Sequence, residues 1–407
     1  MKMGNEVGAE TIFIEFIEDF PKSRFIKNAH IALGLIYRTQ GKGGQALSEF
    51  KSVVENYPNT PESREALGLA KIQYSELDQL SGYVDWIQTL TGSDIGQGQL
   101  DSTLYNGAYD RYSFGDCEGT IKGMKEYLTK FPDGIFRVPA NYYLAECAFS
   151  LGQDELAEKS YEFVAASGEL SFRKHVVERL AALYYSEQKY DQAYHYYEQV
   201  LGLVGNADEG RRARLGLMRC AKALGNTQVV LQYAESLLQD EALPIEWKTE
   251  SLLNAARSAH ELQDSANTKL YYTQVKDNVQ GEGQAEVIYF LAEFDYVLKK
   301  FEASNDQLFW MIENLPTYPK WRWSSLLLMA KNYAGLMDDF QANYTLDFII
   351  DNADVDDYAA QAEAYKAELA LQREREASNA IGVDSLIMDE FTPVPIEEIE
   401  EKNLEIE

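Results

Sequence analysis

The chain is poor in the features that would place it in most functional classes. Cationic side chains are scarce: 37 Lys and Arg stand against 66 Asp and Glu, a formal net charge of −29 at pH 7. Nucleic-acid binding needs a basic footprint, and an anionic membrane surface attracts the same sign, so neither is an expected partner. Three cysteines are too few, and odd in number, for a disulfide framework. No apolar run approaches ~18 residues, so no direct membrane insertion is expected. The opening MKMGNEVGAE has no apolar stretch of the secretory-signal kind.

Catalytic motifs are missing as well. There is no Walker loop, no GxSxG and no paired-cysteine zinc spacing. The GQG at Gly96–Gly98 and the GEG at Gly281–Gly283 lack a strand–helix context and read as linkers. His260-Glu261-Leu262-Gln263-Asp264 stops one histidine short of an HExxH zinc site. Cys147 and Cys220 read as small buried hydrophobes, and Cys117 falls in a turn, at an exposed position. The acid pairs Asp338-Asp339 and Asp356-Asp357 read as caps or solvated faces. No catalytic residue, metal or cofactor is expected, and the chain is not read as an enzyme. What it does have is 45% hydrophobic residues, enough to bury a core.

Those residues repeat. Ile26 to Pro58 reads as two amphipathic helices with a turn at Gly41, closed by Pro58, which lacks an N–H and clashes with the preceding turn. Leu33, Gly34 and Tyr37 lie on the first helix, and Ala46, Phe50 and Val53 on the second. These residues resemble the tetratricopeptide repeat (TPR), which places Leu-Gly and Tyr on helix A, Ala and an aromatic on helix B, and Pro at the close. With Lys27 as position 1, later units start at Arg64, Asp101, Val138, Lys174, Arg211, Thr249, Ala285 and Trp323. Position 20 is small in most units, and position 27 is apolar in all, from Val53 to Ile349. Tyr197 and Val200, at positions 24 and 27 of the Lys174 unit, are expected in the core. The unit at Arg64 departs from the pattern, with Lys71 in place of Gly or Ala and Tyr83 in place of Ala, and should pack more loosely.

The resemblance implies an all-α fold, a right-handed TPR superhelix (α-solenoid) of about nine helix-turn-helix repeats, with a leading half repeat and a C-terminal capping helix. The expected divisions are 1–92, a half repeat plus two units; 98–351, seven units; 354–380, the capping helix; and 383–407, an acidic disordered tail, whose Ile387, Phe391 and Ile396 offer docking into a groove as an alternative. Ala9, Phe13, Phe16 and Pro21 fit a helix B whose helix A would precede Met1, so a longer array is expected. Thr91–Leu100 is the expected hinge, and Gly202–Gly210 a second looser joint. The long period and the aromatic-Pro stops (Phe20-Pro21, Tyr57-Pro58, Phe131-Pro132) look like bacterial cell-envelope TPR proteins, such as the periplasmic partner of the Tol–Pal system and the lipoprotein of outer-membrane assembly. A periplasmic or envelope location is thereby implied, with a cytoplasmic one as the alternative.

In TPR proteins helix A positions 2, 5, 9 and 12 face the concave groove. Carried over by position, this gives an aromatic wall, Tyr105, Tyr109, Tyr112, Tyr142 and Tyr185, and a basic island, Arg212, Arg219, Lys222 and Arg257. Two readings stand. Either a protein or peptide partner lays apolar side chains on the tyrosines and carboxylates on the arginines, or the tyrosines are packing residues and the arginines pair with Glu250 and Glu286. The expected function is a non-enzymatic interaction scaffold. The alternative is a structural, oligomerising array in which the groove is not the working surface.

Overall fold

A computed structural model describes residues 6–90, 95–354 and 357–390. All regular structure there is helical, and the chain divides into two compact units, Met1–Gly205 and Asn206–Glu407. The first holds α1 (Glu6–Asp19), α2 (Ile26–Thr39), α3 (Gly43–Asn56), α4 (Pro61–Glu76), α5 (Leu80–Thr89), α6 (Gln97–Ser113), α7 (Cys117–Lys130), α8 (Arg137–Ser150), α9 (Asp154–Ala166), α10 (Leu170–Ser186) and α11 (Tyr190–Gly202). The second holds α12 (Ala207–Ala223), α13 (Thr227–Leu238), α14 (Ile245–Glu261), α15 (Ser265–Val275), α16 (Glu282–Val297), α17 (Phe301–Asn314), α18 (Pro319–Gly335), α19 (Asp339–Asn352) and α20 (Tyr358–Glu390). From α2 onward each helix A packs on the helix B that follows it, and within each unit these pairs stack in sequence, an α-solenoid.

The repeat positions explain the pairing. Position 20 is buried in every unit, from Ala46 through Thr120, Ala157, Ala193 and Ser304 to Ala342. Position 27 is buried in every unit except the one at Arg64, where Leu90 is half-buried just past the end of α5. Position 8 is the facing site on helix A. A Cβ on Gly34 would stand 2.5 Å from the Phe50 ring, so only glycine lets α2 and α3 approach this closely. Ala108, Ala145, Ala181, Ala256, Ala292 and Ala330 hold the slot in six other units and Met218 in the Arg211 unit, all buried. In the Arg64 unit the slot holds Lys71, which is exposed and donates to Thr103 Oγ1 at 3.1 Å. The α4–α5 contact is accordingly the thinnest of the nine pairs, and Tyr83 packs instead against Tyr74 and Trp86.

Turns and ends follow local chemistry. The A-to-B turn puts one residue at positive φ in all nine pairs, always position 15: Gly41, Asp78, Gly115, Gly152, Gln188, Gly225, Gln263, Lys299 and Met337. Glycine takes that conformation without steric cost; the other five do not. Asp116, Asn226, Asp264 and Asp338 then cap the following helices by accepting a backbone N–H. Helices α3, α7 and α17 end one residue before the aromatic or leucine that precedes Pro58, Pro132 and Pro316.

Several expectations change. Cys147 is buried, but not as a free thiol: it forms a disulfide with Cys117, joining the start of α7 to α8 of the next pair. Cys220 alone remains free, and burial pushes its thiol up to about 12. Val200 is buried, but Tyr197 is only half-buried. The expected hinge at Thr91–Leu100 is helical from Gln97 onward, and its residues 91–94 lie outside the described residues. Helix α20 lays Tyr358, Ala362 and Leu369, with Tyr365 partly covered, against α18 and α19, and Arg373 binds Asp339 and the Ala334 carbonyl. It runs to Glu390, past the expected tail start at Val383; residues 391–407, including Phe391 and Ile396, lie outside the described residues.

Candidate functional site

In the first unit, four of the five tyrosines come together. Tyr105, Tyr109 and Tyr112 lie on α6 and Tyr142 on α8. Tyr105 stacks on Phe136 with centroids 4.3 Å apart, Tyr109 and Tyr112 meet Tyr143 at 4.9 and 4.6 Å, and Tyr142 stacks on Phe172 at 4.2 Å. Tyr142 and Tyr143 touch at 5.1 Å, so the seven rings form one connected surface across α6, α8 and α10. Tyr105 is buried and the other six are half-buried: one edge packs while part of each ring meets solvent. Tyr185 does not join them; its ring partner is Tyr190 on α11. The positional rule misses Tyr143, Phe136 and Phe172, which sit at position 6, just before α8 and in the first turn of α10. The signal available was local, a Tyr142-Tyr143 pair and an aromatic two residues before position 1 of the Val138 and Lys174 units.

One charged cluster borders the wall. Glu146 on α8 accepts from the Tyr161 hydroxyl, lies 3.0 Å from His175 Nε2 and 3.6 Å from Arg179 Nε. The Arg179 guanidinium lies over Phe149, 4.7 Å from its centroid. Burial, then the neighbouring Glu146, pushes the Tyr142 phenol up to about 12, and burial raises Tyr105, Tyr112 and Tyr143 as well. The hydroxyls therefore stay neutral at physiological pH and can donate to a bound chain.

In the second unit, two of the four residues of the expected basic island, Arg219 and Arg257, are engaged internally. Arg219 on α12 grips Glu250 on α14 with two bonds, 2.8 and 2.6 Å. Arg257 on α14 grips Glu286 on α16 in the same way, and Tyr272 also donates to that buried carboxylate at 2.8 Å. Position 9 of one pair meets position 2 of the next each time, as it does at Glu146 and His175. Lys222 is held below the usual lysine range by desolvation of its ammonium and by Arg257. Arg212 is exposed and has no ion pair among the described residues. No group of three or more His, Cys, Asp or Glu able to hold a metal occurs among the described residues, and none of the described helices is long and apolar enough to cross a membrane.

Residues 29–60 match the family model of the tetratricopeptide repeat. A search of curated proteins finds no match. Similar solved structures include a tetratricopeptide repeat protein from Parabacteroides merdae, 13% identical over 68% of this chain and 100% of that one, with a TM-score of 0.33. PilW, a type IV pilus biogenesis factor, is 17% identical over 56% of this chain and 99% of its own, at 0.29. The C-terminal part of a TPR repeat-containing protein from Cytophaga hutchinsonii is 14% identical over 73% and 98%, at 0.31. Residues 29–60 thus carry a tetratricopeptide repeat, and the helices paired in sequence throughout each unit form an α-solenoid.

Proposed function

We propose that the protein is a non-enzymatic scaffold that holds a segment or domain of a partner protein on the aromatic wall of its first unit, in a bacterial cell-envelope assembly. The wall carries this reading. Seven connected rings, six of them half-buried with part of each ring reaching solvent, form a continuous aromatic surface. Tyrosine and arginine dominate binding hot spots, and Arg179 stands beside the rings. The Cys117–Cys147 disulfide supports an oxidising compartment, since cytosolic thiols are normally kept reduced. The expected carboxylate contacts at Arg219 and Arg257 are not part of this reading, because each arginine already grips a glutamate.

The test compares the wild-type protein with the Tyr109→Ser, Tyr142→Ser double variant as baits for capture from the source cell, after thermal melts establish that both fold. A partner recovered by the wild type should bind the variant more than about 10-fold more weakly. Equal affinity for both would discard the wall as the working surface.

A second reading, a self-assembling structural array, is favoured by helix-B aromatics in the second unit. Phe340 is 75% exposed, Tyr344 65% and Trp310 45%. Concentration-dependent sedimentation that disappears in Phe340→Ser, Tyr344→Ser would support that reading instead.

A further inference from the structure

The protein satisfies charged side chains at helix-A position 9 by one repeated device, the position 2 side chain of the following pair. Glu146 has His175, Arg219 has Glu250 and Arg257 has Glu286. The device is absent at two charged position 9 residues, Glu293 and Lys331, and of these only Glu293 has a pair following it. Glu293 holds position 9 on α16, and position 2 of the next pair is Ser324, whose hydroxyl is already bonded to the Tyr358 hydroxyl at 2.8 Å. The half-buried Glu293 carboxylate has no hydrogen bond or ion pair among the described residues. Two basic side chains act on it electrostatically, His260 from α14 and Lys331 from α18. His260 packs on the Phe290 ring at 4.7 Å, and the Lys331 ammonium lies over Tyr365 at 5.6 Å.

Glu293 also lines a cavity of about 310 Å³, with Phe294, Tyr296 and Val297 as its apolar part and His260, Gln263, Ser265 and Thr268 as its polar part. That volume is at the small end of ligand sites, which run from about 300 to 1,000 Å³, and suits one side chain rather than a cofactor. A single carboxylate beside aromatic and aliphatic surface, with hydroxyl and amide groups alongside to accept further N–H bonds, is the chemistry that takes a cation with an apolar stem. We propose that this cavity is a receptor for one lysine or arginine side chain of a basic partner protein, with Glu293 as the counter-ion. The charge of the whole chain, −29, draws a partner of the opposite sign. Desolvation already holds the Glu293 carboxyl above its usual range, and an arriving cation would supply the missing compensation.

The proposal does not depend on the aromatic wall, which lies in the other unit, and its test uses different probes. The intact protein, labelled at threonine and valine methyls, is titrated with Nα-acetyl-lysine methylamide and Nα-acetyl-arginine methylamide. The Nε-acetylated lysine compound and free 1,5-diaminopentane serve as comparisons. Saturable shifts at Thr268 and Val297 are expected with at least one charged amide, weakened at least 10-fold by Nε-acetylation and by Glu293→Gln. Should Glu293→Gln not fold, Ser265→Lys, at an exposed position on the rim, places a tethered ammonium at the cavity and should suppress the same shifts. No saturable shift with either amide, or undiminished binding to the variants, would overturn the assignment. So would binding of the diamine alone, which would indicate a free amine rather than a side chain.

Discussion

Arg219 and Arg257 hold the same repeat position and make the same two-pronged grip, yet their removal should cost different amounts. The Glu250 side chain is 31% exposed and can be rehydrated, whereas Glu286 is 7% exposed. Arg219→Ala should therefore cost about 0–1 kcal/mol. Arg257→Ala strands a buried carboxylate with Tyr272 as its remaining donor, at a cost on the order of 3 kcal/mol. That lies at the low end of the buried-pair range, because Arg257 is itself 39% exposed. Urea midpoints of the two variants check this, and equal shifts would refute it. Both halves of each pair were legible in the sequence, since Glu250 and Glu286 stand at position 2 of their units. What was not legible was which reading wins, because a groove arginine facing solvent and one facing its neighbour have the same periodicity. The aromatic wall was half legible for a related reason. Positions 5, 9 and 12 found the tyrosines of α6 and Tyr142, while Tyr143 depends on how α8 is rotated against α6.

At the level of helices, the repeat register carried nearly everything. A period of 36 to 38 residues fixed where each pair begins, and the small residues at positions 8 and 20 fixed which faces meet. The turn at position 15 was harder to read, because only four of its nine residues are glycine. Met337 is the clearest misfit, an exposed side chain held at φ 64°. Left-handed backbone costs a non-glycine residue about 1–2 kcal/mol, partly offset by the extra freedom glycine has when unfolded. Met337→Gly should therefore stabilise the second unit by up to about 1 kcal/mol, seen as a higher thermal midpoint; a lower midpoint would mean that the Met337 side chain packs. The disulfide escaped the sequence reading because its cysteines are 30 residues apart and sit in different pairs. Position 17 of one unit adjoins position 10 of the next, and that neighbour relation was the signal available.

For the molecule as a whole, the sequence announced an acidic repeat array but not how its charge is distributed. Arg219 and Arg257 of the second unit are spent on its own glutamates, so these two cations do not add to an open basic face there. The Cys117–Cys147 bridge bears on something else, the behaviour of the chain under load. A solenoid pulled from its ends yields pair by pair, because each pair is held only by its neighbours. Each residue released adds about 3.3–3.6 Å of contour. The 30-residue loop closed by the bridge cannot pay out while the bond holds, so roughly 100 Å of length stays in reserve. In an optical trap, full extension in reducing buffer should exceed that in oxidising buffer by about this amount, and identical traces would show that the bridge does not form. The bond would thus act as a strain limiter at the tyrosine wall, keeping α7 tied to α8 while the rest of the array stretches.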